Sequence, residues 1–84
     1  MPSYLVETYM PKALALDAAS AAERVRAAAR ELSTAGDAVR HVRTTLLPED
    51  ETCFHVFTAE SEEAVAEACR RAGLRSPRIV PALE

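Results

Sequence analysis

The chain has 84 residues, 49% of them apolar, and a formal charge of −3, enough for one small domain, 1–84, with a single core. Its arginines are scattered among glutamates, so the clustered basic stripe that displaces counterions from phosphates is absent and nucleic acid is not an expected partner. With no apolar run of about 18 residues and no basic start leading into an apolar core, no membrane association is expected and the expected location is cytoplasmic.

Ser3 to Tyr9 is β-branched and aromatic and is closed by Met10-Pro11, which predicts a strand. Alternation puts Tyr4, Val6 and Thr8 on one face and Leu5, Glu7 and Tyr9 on the other. Residues 11 to 19 read as a connection. A helix then follows, with Asp17 or Ser20 as its cap; Ser20 has Glu23 three residues on, the capping-box spacing. The helix runs to about Thr34 with Gly36 as its stop. Val25, Ala28, Ala29 and Leu32 form its inner stripe, while Glu23, Arg24, Arg26, Arg30 and Glu31 read as a solvated face.

Residues 38 to 59 hold two Val-, Thr-, Leu- and Phe-rich runs around Pro48-Glu49-Asp50-Glu51, which predicts a β-hairpin with an acidic tip. Ser61 then caps a second helix, whose first turn carries Glu62 and Glu63 at the positive end of the dipole. Val65, Ala68, Cys69 and Ala72 face inward, and Gly73 ends the helix. Arg78-Ile79-Val80 is a last short strand, and Pro81 marks it as an edge. The two cysteines, Cys53 and Cys69, sit in apolar settings and read as free thiols.

Strand, helix, hairpin, helix, strand is the βαββαβ order of an α+β, ferredoxin-like fold. Right-handed crossovers place both helices on one face of a four-stranded antiparallel sheet in the order fourth, first, third, second. The other face is left open. Leu5, Tyr9, Val39, Leu47 and Phe57 exceed what one helix layer can cover, and with only four aromatics the core is alanine-rich, so a homodimer through the open face is expected.

Several stretches carry a family resemblance: Tyr4-Leu5-Val6-Glu7, Pro48 to Phe54, Phe57-Thr58-Ala59 leading to Ser61, Ala64-Val65, Arg71-Ala72-Gly73-Leu74, and Arg78-Ile79-Val80. In these the chain resembles the small bacterial ferredoxin-like proteins grouped as domain of unknown function 4242, some of which are described as nickel-binding. Many of those relatives carry His-Ser where this chain has Arg43-Thr44, a Cys where it has His55, and a carboxylate where it has Thr58. The resemblance implies nickel or another transition metal as a cofactor, while these departures leave a ligand set different from the family's, so the family's own metal chemistry does not carry over.

His41, His55, Cys53 and Glu7 have the donor types that suit such a metal, with His41, His55 and Cys53 as the metal candidates at the open sheet face. Whether the histidines meet depends on register. A four-residue tip at 48 to 51 pairs Thr44 with His55 and leaves His41 on the opposite face; a bulge or a tip of different length brings it back. A competing reading is a small dimeric barrel enzyme of monooxygenase, cyclase or isomerase type. In it Glu7, Tyr9 and Arg43 line a dimer-enclosed ligand pocket, Glu7 or a histidine is the base and Arg43 the anion or oxyanion partner; Glu7 serves only if it is buried and not paired to Arg43. A third reading is an interaction module without chemistry.

Overall fold

The computed structural model describes residues 1–83. Its elements are β1 (Ser3–Tyr9), a 3₁₀ helix (Lys12–Asp17), α1 (Ala18–Thr34), β2 (Val39–Leu47), a short 3₁₀ turn (Pro48–Asp50), β3 (Thr52–Ala59), α2 (Glu62–Arg71) and β4 (Arg78–Ala82). The strands form one antiparallel sheet in the order β2-β3-β1-β4, the expected ferredoxin-like order read from the other edge. β1 and β3 are central, and β4, with Pro81, lies at an edge, where a residue without an N–H costs no ladder bond.

One sheet face is covered by the helices. Val25, Ala28, Ala29 and Leu32 of α1 and Val65, Ala68 and Cys69 of α2 join Tyr4, Val6, Val39, Phe57 and Ala59 in one buried cluster. Small side chains let the helices approach the sheet closely, and Phe57 and Leu32 are the largest of the fully buried side chains. Val39 and Phe57 therefore belong to the covered face, not the open one. On β3 the period of two sends Cys53, His55, Phe57 and Ala59 inward together, and Val39 packs beside them from the start of β2. The open face carries Leu5, Phe54, Val56 and Val80, all partly exposed, with Tyr9 and Leu47 more exposed.

The entry to α1 differs from the capping-box expectation. The 3₁₀ helix runs straight into the α-helix, so Asp17 stands at the cap position without a side-chain bond. Ser20, displaced into the first turn, accepts instead from Arg24 Nη1 at 3.0 Å. At α2 the expected cap forms: Ser61 Oγ accepts from the Ala64 N–H at 3.2 Å. Gly36 and Gly73 follow the two helices at positive φ, the left-handed closure that favours glycine.

Candidate functional site: a buried polar row

Two features of the hairpin bring its histidines together. The tip is Pro48 to Glu51, with Glu51 in the left-handed region, and it sets Thr44 opposite His55. A register shift between His41 and Arg43 then makes Val42 an extra residue on β2. This bulge restores the phase that a straight strand would lose, so His41, Thr44 and His55 share a face. That face is the helix-covered one. His41 and His55 are 7% and 0% exposed, so the expectation that placed them at the open face is corrected.

A connected row results. Thr44 Oγ1 lies 2.8 Å from His41 Nε2 and 2.7 Å from His55 Nδ1, and Cys53 Sγ lies 3.8 Å from His55 Nε2. Thr8 Oγ1 donates to the Cys53 carbonyl at 3.3 Å, tying β1 to the same point. Phe57 presents an edge-to-face contact to His41, with ring centroids 5.7 Å apart. A hydroxyl has one proton to give, so two arrangements use it within the row. In one, Thr44 donates to His55, His41 donates to Thr44, and His41 Nδ1 is a bare lone pair. In the other every proton runs the opposite way, from the Cys53 thiol through His55 and Thr44, and His41 Nδ1 carries a hydrogen. That Nδ1 atom is the buried side-chain polar atom without a partner among the described residues.

The row is kept neutral. Burial, followed by the neighbouring His41, pushes His55 down to about 4. His41 is also lowered, first by burial and then by the Arg26 guanidinium, with the Arg43 backbone acting in the other direction. Burial raises the Cys53 thiol, opposed by Thr8, so the sulfur is a protonated neighbour of His55 and not an activated nucleophile. Cys69, pushed up to about 11 by burial, is a core thiol as expected.

The residues of the enzyme reading are not gathered in this way. Glu7 projects from the open face with its side chain 39% exposed, and Arg78 Nη1 donates to it at 3.3 Å across the β1–β4 ladder. Arg43, on β2, lies opposite Val56 of β3, the strand that separates it from β1. Tyr9 is 70% exposed; it shares a shallow hollow with Glu7 and Arg78, but not with Arg43. In the single chain, therefore, the fold does not bury a base at Glu7.

A family model described as nickel responsive protein SCO4226-like matches residues 4–81. The chain belongs to this family. Nickel is common to this family and to the one that the sequence resembles. No curated protein and no solved structure matches the chain. No helix among the described residues is long and apolar enough to cross a membrane.

For a member of the nickel responsive family the row is the place to test for metal. Imidazole nitrogen suits nickel, and two such nitrogens converge on the Thr44 hydroxyl, so the donor chemistry fits. The number of donors is smaller than a closed shell requires: among the described residues no three His, Cys, Asp or Glu side chains are grouped so as to hold an ion. Thr44 is the residue the sequence reading missed. Its pairing with His55 followed from the turn length, but a threonine between two histidines has no signature until the bulge puts all three on one face.

Proposed function

We propose that the protein is a small homodimeric binding protein in which nickel is received by His41 and His55, with Thr44 between them. The observation that supports this most is the Val42 bulge. It interrupts a ladder to align two imidazoles on one hydroxyl, an expense that simple packing of the core does not call for. When bound, the metal supplies a Lewis-acidic centre that takes imidazole lone pairs. Both rings must then turn lone pairs toward Thr44, which places the His41 proton on Nδ1 and the His55 proton on Nε2, facing Cys53. Cys53 thus orients the His55 ring, in the way a second partner fixes the tautomer of a ligating histidine.

Calorimetry with Ni²⁺ on protein without an affinity tag is expected to give saturable uptake. His41→Gln and His55→Gln, shown by circular dichroism to be folded, should each weaken it by about tenfold or more, the loss of one good ligand interaction. Uptake by both variants equal to that of the wild type would overturn the assignment.

The dimer part of the proposal rests on the open face. Leu5, Phe54, Val56 and Val80 lie there in a central band, with Arg43 and the Glu7–Arg78 pair around it. A second copy presents the same band, so two-fold pairing covers apolar side chains with their own counterparts. Light scattering at micromolar concentration should return about twice the 9.1 kDa of one chain, and a persistent single-chain mass would contradict the dimer.

A further inference from the structure

The row ends beside a groove of about 800 Å³ between α1 and the β2 edge, lined by Arg26, Arg30 and Arg40 with Ser33, Thr34 and His41. No carboxylate lines it, in a chain with more acidic than basic residues. Elsewhere Lys12, Arg70, Arg71 and Arg78 are paired with Glu49, Glu67, Glu31 or Glu7, while Arg24, Arg43 and Arg75 form no ion pair among the described residues but do not line this groove. Arg26, Arg30 and Arg40 form no ion pair among the described residues. Arg26 and Arg30 are also one turn apart on α1, where like charges oppose helix formation. His41, 7% exposed, contributes to this same groove and has its Nδ1 unpartnered.

We propose that this groove binds a small molecule through a phosphate-class oxyanion, with Arg26, Arg30 and Arg40 as charge partners and His41 Nδ1–H as the inner donor. Guanidinium forks match the paired oxygens of a phosphoryl group, and a dianion answers three cations better than a single carboxylate does. The groove volume falls within the range of small-molecule sites, so it has room for an ester group beyond a bare ion. One of the two arrangements of the row already supplies the inner donor: protons running from Cys53 through His55 and Thr44 leave the hydrogen on His41 Nδ1. The solvated face of α1 read from the sequence thus becomes, at Arg26 and Arg30, part of a site.

The proposal is independent of nickel and is tested on metal-free protein. Nitrogen–proton NMR is recorded during addition of inorganic phosphate and, separately, glycerol phosphate at constant ionic strength, with chloride and acetate as controls. Saturable shifts at His41 Nδ1 and along α1 are expected with phosphate or its ester, and the tighter of the two identifies the free or esterified form as the source. The Arg26→Gln/Arg30→Gln double variant should bind about tenfold or more weakly, while Arg70→Gln on α2 should bind as the wild type does. Shifts no larger than those with chloride, or a double variant that binds as well as the wild type, would overturn the site.

Discussion

Lowering the pH from 7 to 5 is expected to destabilise the fold by about 2 kcal/mol through His55, and His55→Gln is expected to remove most of that slope. The imidazole is fully buried and its folded value is pushed down to about 4, below the ordinary value of 6.5 that applies once the chain unfolds. Between those values the unfolded chain binds a proton that the folded chain refuses. Stability is therefore flat above pH 6.5, falls as the pH drops from 6.5 toward 4, and loses nothing more from this group below that. His41, lowered for the same main reason, adds in the same direction. Between pH 7 and 5 most carboxylates are still ionised, so they contribute little to this slope. Urea unfolding at fixed protein concentration measures the effect, and equal slopes for wild type and His55→Gln would show that the buried imidazole is not its source.

The second large effect is expected at Thr44. Thr44→Val keeps the side-chain shape and strips the hydroxyl that both imidazoles use, leaving His41 Nε2 and His55 Nδ1 buried without that partner. Each unmet buried group costs about 1–3 kcal/mol, so a loss on the order of 2–6 kcal/mol is expected for the two, a large part of what a domain of this size has. Thr44→Ser should keep most of the stability, since it returns the oxygen. Thr45→Val, one residue along and opposite Phe54 on the other face, is the matched control. If Thr44→Val shifts the urea midpoint no more than Thr45→Val does, the hydroxyl bridges the histidines without contributing to the fold.

Much of the architecture could be read from local chemistry. The breaker at Pro48 to Glu51 predicted the hairpin, Ser61 the start of α2, and Gly36 and Gly73 the helix stops, because each is a short-range backbone requirement. Alternation in β1 separated Tyr4, Val6 and Thr8 from Leu5, Glu7 and Tyr9 correctly, since one face of a central strand is buried. The Val42 bulge was not legible. It depends on how β2 pairs with β3, and a valine among β-branched neighbours carries no local mark of being the extra residue. With the bulge hidden, the faces of the histidines stayed open and the role of Thr44 could not be seen. The 3₁₀ helix before α1 escaped for a related reason: Lys12 to Asp17 has no cap or breaker that separates it from the helix it enters.

The central claim is that nickel reaches the inner row and not the outer face. It is tested most directly by following the four imidazole nitrogens of His41 and His55 in nitrogen–proton spectra while Ni²⁺ is added to tag-free protein. The account predicts early, saturable paramagnetic broadening of His41 Nε2 and His55 Nδ1, the two atoms facing Thr44, with the Leu5, Phe54 and Val56 resonances of the open face little affected. Broadening confined to the open face or to surface carboxylates, with both imidazoles unchanged at saturation, would contradict it.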